Sequence, residues 1–163
     1  MKLSDEARRD DGSGRVVSVN LSDSKGVRKT PVRGGLAVLE RGFEGDAHAG
    51  DWHRQISLLA RESIQSMVEK GLNVGAGDFA ENVTTEGIDL LSLKVGTVLA
   101  VGGATLEITQ IGKTCHNRCA IYYQAGDCVM PKEGIFAAVK EAGRIAVGDP
   151  IQVIGAPVAG GES

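Results

Sequence analysis

The chain has 163 residues, of which 42% are hydrophobic and 24% are charged, and its formal net charge is -3. This length and apolar content suit one domain with a hydrophobic core. A nucleic-acid-binding surface normally has an excess of clustered basic residues, which this chain lacks, so we expect no DNA or RNA partner. No stretch is long and apolar enough for a signal-peptide core or a membrane span, which predicts a cytoplasmic protein with no membrane partner.

The composition predicts three parts along the chain. Residues 1–14 mix both charge signs and end in Asp11-Gly12-Ser13-Gly14, so they are expected to form a disordered tail. Residues 15–155 are predicted to form a single folded domain, and residues 156–163 a flexible C-terminal tail. The 23 glycines and 4% aromatic content indicate short elements joined by tight turns, as in mainly β or β-rich α+β domains.

The first half of the chain contains three clear periodic segments. Between Arg15 and Leu21 apolar and polar residues alternate, which predicts a half-buried strand with Ser18 and Asn20 on its polar face. Ile56 and Leu58 predict a second strand with both side chains on one face. Residues 61–70 have apolar residues at helical spacing and are followed by a glycine, which predicts a helix.

The second half predicts a hairpin, a helix and a closing strand. Gly102-Gly103 separates two strand-like runs, 97–101 and 104–111, and suits a two-residue hairpin turn. Residues 135–142 suggest a short helix that ends at a glycine. The Val-Gly turn at Val147 resembles the one at Val95, and both precede a strand, which is compatible with a barrel whose last strand seals an edge.

Two glycine-bracketed loops carry polar groups that suit a binding site. In residues 42–53, Asp46 and His48 can bind a ligand or transfer protons, and Arg54 follows at the start of a strand, where a guanidinium can reach a phosphate or carboxylate. Residues 75–87 contain no phosphate-binding glycine fingerprint. A nucleotide-like ligand would therefore need side chains such as those of Asn82, Thr84 and Thr85, although a connector that caps its own turns is an equal interpretation.

The reactive groups are concentrated between Ile111 and Ile121. Cys115 and Cys119 lie among three basic side chains, those of Lys113, His116 and Arg118. Positive charge next to a thiol favours the nucleophilic thiolate, which predicts a reactive sulfur site. An odd total of three cysteines also favours reduced thiols over a disulfide framework.

Three other readings of the cysteines stay open. They can be small core residues at the end of a strand. They can join Cys128 and histidines in a structural zinc site, although the chain has no CxxC pair. A cysteine hydrolase that pairs Cys115 with His48 is a further alternative, because catalytic partners need only be close in space.

Several motifs together resemble the MOSC family, which is named after the C-terminal domain of molybdenum cofactor sulfurase. The resemblance covers about residues 14–154. Its most specific part is the second motif, Gly77-Asp78-Phe79-Ala80-Glu81-Asn82-Val83-Thr84-Thr85-Glu86-Gly87. The first motif is Gly45-Asp46-Ala47-His48-Ala49-Gly50. The strand-like segments 54–59 and 106–110, the latter leading to a cysteine, match in order and spacing.

The resemblance implies a partly closed β-barrel with a few short peripheral helices and a role connected to the molybdenum cofactor. A family cysteine would carry sulfur as a persulfide or ligate molybdenum. Cys115 follows the Leu-Glu-Ile-like strand, although Thr114 stands where many members have proline, and Cys119 follows an arginine as in other branches. Either cysteine can therefore be the functional one.

The pterin cofactor suspected from this resemblance carries a phosphate, which needs basic or hydroxyl donors. The residues predicted to contact it are Asp46, His48, Arg54, Asn82, Thr84, Thr85, Lys113 and Arg118. No tightly bound metal is predicted. The implied partners are a cysteine desulfurase as sulfur donor and the molybdenum cofactor or a molybdoenzyme as acceptor, with sulfurtransferase-like activity. The alternatives are a non-catalytic carrier of the cofactor and a zinc-stabilised structural domain.

Overall fold

A computed structural model of the protein describes residues 13–23, 29–47, 49–50, 55–79, 81–111 and 134–155. Within these ranges the chain forms eleven β-strands, one α-helix (α1, Arg61–Glu69) and one short 3-10 helix (Leu90–Ser92). In chain order the strands are β1 (Ser13–Leu21), β2 (Thr30–Val32), β3 (Gly34–Val38), β4 (Gly42–Phe43), β5 (Ile56–Ala60), β6 (Val83–Glu86), β7 (Val98–Val101), β8 (Ala104–Ile111), β9 (Ile135–Glu141), β10 (Gly143–Ala146) and β11 (Pro150–Gly155). In this part of the chain, no helix has the length and apolar content needed to cross a membrane.

Seven strands form a closed β-barrel in the order β11-β7-β8-β9-β5-β6-β1, with β1 pairing to β11 to complete the ring. Strands β5 and β6 run parallel to each other, whereas the other neighbouring strands of the ring are antiparallel. Strand β2 extends the sheet from β1, and β3, β4 and β10 form a separate three-stranded sheet. The prediction of a mainly β barrel is confirmed, and the ring is fully closed.

The first and last strands of the barrel seal it. Ser13 pairs with Gln152 and Arg15 pairs with Pro150, while the other edge of β11 pairs with β7. This arrangement confirms the expected closing strand and satisfies backbone groups that an open edge would leave unpaired. Strand β1 begins at Ser13, two residues inside the segment predicted to be a tail.

The apolar side chains form two clusters on opposite faces of the sheet. Ile56 and Leu58 of β5 lie in the barrel core, together with Val19 and Val83, as expected from the strand pattern. Leu59, the alternate residue of β5, instead packs outside the barrel with residues of α1 and with Phe136. The outer face of β5 and its neighbours is therefore covered by protein.

The predicted helix and the predicted hairpin are both confirmed. Helix α1 buries Ile64 and Met67 against the outside of the barrel, whereas Val68 is 38% exposed. Strands β7 and β8 form the hairpin around Gly102-Gly103, with Val101 opposite Ala104. Both elements depend on neighbouring residues, so local pattern is sufficient to predict them.

The helix predicted over residues 135–142 is wrong, because this segment forms β9. Ile135 and Val139 point into the barrel core, while Phe136 belongs to the outer cluster. The strand pairs with β8 on one side and β5 on the other. Backbone hydrogen bonds along both edges of the strand and burial of both its faces favour the strand more strongly than the alanine-containing sequence favours a helix.

The segment 75–87, predicted as a glycine-bracketed loop, also contains a strand. Residues 75–79 form turns, but Val83–Glu86 is β6, which lies between β5 and β1 in the barrel. The second motif therefore starts in a loop and ends in the sheet. The polar side chains of its middle part are thereby fixed at the start of a barrel strand.

Candidate functional site

A layer of polar side chains is buried on the outer face of β1, β5 and β6. We call this set the polar layer; its members are Ser18, Asn20, Ser57, Glu81, Asn82 and Thr84. Asn20, Glu81, Asn82 and Thr84 have no exposed surface. The polar face of β1 is therefore not solvated as a half-buried strand would be, but is covered by the loop that precedes β6.

Asn20 lies at the centre of the polar layer. Its side-chain Nδ2 donates to the Glu81 carbonyl oxygen and to Thr84 Oγ1, both at 3.1 Å. Its Oδ1 accepts from Ser18 Oγ at 2.7 Å. The asparagine thereby joins two residues of the second motif to the last part of β1.

Asn82 ties the start of β6 to both neighbouring strands. Its Oδ1 accepts from the backbone N–H of Ser57 at 3.0 Å, and its Nδ2 donates to the Asn20 carbonyl at 3.2 Å. Its own backbone N–H donates to Ser57 Oγ at 3.0 Å. With Thr84 also bonded within the layer, these side chains hold the sheet together at this point. Their contact with a cofactor stays a prediction.

Glu81 is the acidic member of the polar layer. Its Oε2 accepts from Thr84 Oγ1 at 2.6 Å and from the Gly77 N–H at 3.0 Å, while Oε1 is buried with no hydrogen-bond partner among the described residues. Burial raises the pKa of this carboxyl because the charged form loses its hydration, and the hydrogen bonds from Gly77 and Thr84 oppose this only in part.

Glu81 is expected to make stability fall as pH rises. Its pKa is raised above the ordinary value of 4.5, so the folded protein holds a proton that the unfolded chain releases. That contribution is complete below about pH 4.5 and is lost as pH rises through the folded-state pKa. The free energy of unfolding, measured in urea, should therefore fall with pH in the native protein but not in Glu81→Gln. The difference between the two should shift in favour of the variant by at most about 1.4 kcal/mol per pH unit. Parallel pH profiles for the two proteins would contradict this.

A fully buried ion pair connects the two motifs. Lys29 Nζ lies 2.9 Å from Asp46 Oδ1, and both side chains have no exposed surface. The same carboxylate oxygen accepts from the Ser22 N–H at 3.0 Å. The Lys29 backbone N–H donates to the Gly77 carbonyl at 2.8 Å. Asp46 of the first motif is thus linked through one lysine to Gly77 of the second.

The far end of β6 carries an exposed charge cluster. Glu86 forms ion pairs with Arg15 and Arg61, with Nη2–Oε distances of 2.9 and 3.1 Å. Slight burial tends to raise the pKa of Glu86, but the hydrogen bond from Arg15 and the charges of both arginines outweigh it and lower the pKa. Because the arginines are more than half exposed, the pairs are expected to add little stability.

A cavity of about 230 Å³ lies beyond this end of β6, between the first turns of α1 and the segment that follows the strand. Glu62, Gly87 and Leu90 are among its lining residues, and the Gly87 N–H donates to Glu62 Oε2 at 3.0 Å. Of the predicted site residues that the structure describes, which are Asp46, Asn82, Thr84 and Thr85, none lines this cavity. The polar layer, at the opposite end of β6, is therefore the better candidate for a functional region.

The predicted site residues divide into two groups. Asp46, Asn82, Thr84 and Thr85 lie in the described part of the chain; the Lys29 contacts bring Asp46 to the polar layer, whereas the Thr85 hydroxyl is buried with no described partner. The other predicted residues lie outside the described residues; they are His48, Arg54, Lys113, Cys115, Arg118 and Cys119.

The remaining histidines and cysteine of the zinc alternative, His53, His116 and Cys128, also lie outside the described ranges. Among the residues that are described, no three His, Cys, Asp or Glu side chains are grouped to hold a metal ion.

Sequence reasoning missed Lys29, Ser18, Asn20 and Glu81. Ser18 and Asn20 do carry a signal, since two hydrogen-bonding residues alternate on one strand, but such alternation alone predicts an exposed polar face. Glu81 lies within the second motif, next to the predicted site residue Asn82. For Lys29 the sequence contains no signal, because a lone lysine in a polar segment is normally solvated.

Solved structures with similar architecture identify the class of fold. The crystal structure of the YUAD protein from Bacillus subtilis has a TM-score of 0.72, with 20% identity over 86% of this chain and 95% of that chain. YiiM from Geobacillus stearothermophilus has a TM-score of 0.65, with 20% identity over 87% of this chain and 75% of that chain. YiiM from Escherichia coli has a TM-score of 0.64, with 19% identity over 87% and 70%. At these identities the likeness establishes a shared fold.

The family follows from the sequence itself. The model of the MOSC domain matches residues 44–152, more than half of the chain, so the protein belongs to the MOSC domain family. The match includes both motifs, Cys115 and Cys119, but not Lys29 or β1. A comparison with curated protein sequences found no match.

Proposed function

We propose that this chain binds the molybdenum cofactor or a related sulfur acceptor and acts through Cys115 or Cys119, as a persulfide carrier or a molybdenum ligand. The observation that carries the proposal is the MOSC match over residues 44–152, which spans both motifs and both cysteines. Two thiols among basic side chains suit either role, because both roles use the thiolate.

The geometry of the sheet supports this assignment. Pairing aligns Ile111 at the end of β8 with Ile135, Ile135 with Leu58, and Leu58 with Val83 at the start of β6. Three strand spacings separate Ile111 from Val83, which is roughly 14 Å. Four extended residues can also span about 14 Å. Cys115, four residues after Ile111, is therefore within reach of the strand that carries the polar layer.

The described residues do not by themselves form a cradle for a phosphate-bearing cofactor. The side chains of Asn82 and Thr84 are already bonded within the protein, and Glu81 Oε2 already accepts from Thr84 and Gly77. We therefore assign the polar layer to holding the second motif in place. Arg54, Lys113 and Arg118, which suit a phosphate, are proposed to hold it.

Sulfur loading would be a thiol exchange. The thiolate of Cys115 or Cys119 attacks the terminal sulfur of a persulfide on a cysteine desulfurase; the S–S bond of the donor breaks, and the donor cysteine leaves as a thiolate. To deliver the sulfur, the terminal sulfur of the new persulfide bonds to an electrophilic acceptor such as the cofactor of a molybdoenzyme and displaces its leaving group. Two molecules of a reducing thiol then cleave the remaining S–S bond: they supply two electrons, leave as a disulfide, and release the sulfur on the acceptor and the original cysteine.

Loading with sulfur tests the proposal. After incubation with a cysteine desulfurase and cysteine, the native protein should gain one sulfur atom, located on Cys115 or Cys119 by peptide mass mapping. Serine at the functional position should abolish loading, because no thiolate remains to accept the sulfur. Cys128→Ser is the matched control and should load normally.

Cofactor binding separates the proposal from its alternative. A protein that binds the cofactor equally well as Cys115→Ser and as Cys119→Ser, and carries no persulfide, would be a non-catalytic carrier. Absence of both a sulfur adduct and cofactor binding in the native protein would overturn the proposed function.

A further inference from the structure

We infer that Lys29 is a positioning residue that couples the two motifs of the proposed site, so that they open and close together. It lies outside both motifs and outside the residues matched by the family model. Its side chain binds the first motif through Asp46, and its backbone binds the second through Gly77. A change that releases either motif is therefore expected to release the other.

The contacts form one continuous chain through buried atoms. Asp46 Oδ1 meets Lys29 Nζ at 2.9 Å, and the Lys29 N–H meets the Gly77 carbonyl at 2.8 Å. From there the Gly77 N–H reaches Glu81 Oε2, which also accepts from Thr84. Water does not compete for bonds at these positions, so each link restricts the next.

The backbones of Lys29 and Gly77 approach each other too closely for any other residue type at position 77. A Cβ there would lie 2.3 Å from the Lys29 carbonyl oxygen, and Gly77 has a φ of +86°. The glycine of the second motif is thus required by the contact with Lys29, in addition to its turn conformation. This pairing of a motif glycine with a residue outside the motif is independent support for the coupling.

Stability alone does not explain a buried ion pair. Apolar residues of similar volume often stabilise a fold equally well, whereas a charged hydrogen bond has a defined direction and fixes one position of its partner. Asp46 is two residues before His48, a predicted site residue. The lysine therefore fixes the attachment point of that part of the first motif. The link between this fixation and sulfur loading rests on the proposed function.

Amide hydrogen exchange in the native protein tests the coupling without any substitution. The reporters are Ala47, whose N–H donates to the Ser22 carbonyl, and Gly77, whose N–H donates to Glu81. If the motifs open together, both amides should show the same opening free energy and the same denaturant dependence at low urea. Different values for the two amides would overturn the inference.

A double variant then separates positioning from simple stabilisation. Lys29→Met/Asp46→Asn removes the charges but keeps an oxygen that can accept from Ser22. We expect its stability to approach that of the native protein, while exchange at Ala47 and Gly77 rises about tenfold, equivalent to about 1.4 kcal/mol. Leu106 in the β7–β8 hairpin is the control amide and should be unchanged.

The outcomes of this experiment are distinct. If the double variant has native stability and native exchange rates at both amides, Lys29 is a structural residue only. If exchange in the double variant is faster at Ala47 but not at Gly77, the motifs are not coupled. With the coupling confirmed, slower sulfur loading by the double variant would connect it to function. If the native protein neither loads sulfur nor binds the cofactor, the proposed function fails, whereas the exchange result still decides the coupling.

Discussion

Lys29→Met is expected to destabilise the protein by about 3–5 kcal/mol, because it removes the ammonium group of Lys29 from the buried carboxylate of Asp46. Asp46 is 6% exposed and its side chain lies wholly inside the protein, so solvent cannot replace the lost ammonium group. The Ser22 N–H still donates to the carboxylate, but a neutral donor compensates only part of the desolvation. Urea unfolding followed by circular dichroism would measure the loss.

An exposed ion pair provides the control for this variant. Lys140 Nζ lies 3.5 Å from Glu107 Oε1 on the barrel surface, with the two side chains 53% and 37% exposed. Lys140→Met should therefore change the free energy of unfolding by no more than about 1 kcal/mol. Equal losses for Lys29→Met and Lys140→Met would show that the buried pair contributes no more than a surface pair.

Gly77→Ala should be the second strongly destabilising substitution, at about 2–5 kcal/mol. The left-handed φ of +86° is unfavourable for alanine, and the added methyl group would meet the backbone of Lys29 at 2.3 Å. A backbone oxygen cannot move aside as a flexible side chain can. Relief of the clash requires displacement of the chain and weakens the bonds that Lys29 and Glu81 make to this residue. Thermal unfolding would detect the loss as a lower Tm.

Gly71 separates the two causes of that loss. It has a φ of +98°, but a Cβ at this position would meet no atom within 4 Å. Gly71→Ala should therefore incur only the backbone strain, about 1–2 kcal/mol. If Gly77→Ala were no more destabilising than Gly71→Ala, the close approach of Lys29 and Gly77 would contribute nothing to the loss of stability.

The parts of the fold that the sequence predicts are those set by neighbouring residues. The β7–β8 hairpin follows from Gly102-Gly103 between two strand-like runs, and helix α1 follows from apolar spacing that ends at Gly71. The closing strand was expected because an open barrel edge is unfavourable. In each case the information lies within a few residues or in a general property of sheets.

The errors arise where distant segments decide the structure. Strand β9 exists because β5 and β8 lie on either side of it, and no local feature of its sequence reports those neighbours. The buried polar face of β1 has the same origin, since the covering loop is about sixty residues further along the chain, as the 61-residue separation of Asn20 and Glu81 shows. Lys29 and Asp46 likewise find each other only in the folded protein.

Closure of the barrel also constrains how the chain reaches its native state. The first half of β1 has its partner in β11, so the pairing of Ser13 with Gln152 must wait until almost every other strand of the ring exists. Until then one edge of β1 and one edge of β7 are open to pairing with other molecules. Such long-range closure is slow, because the entropy of the intervening chain is lost before the contact is gained. The completed ring leaves neither of these edges open. Aggregation through them is therefore possible only between the synthesis of β1 and the pairing of β11.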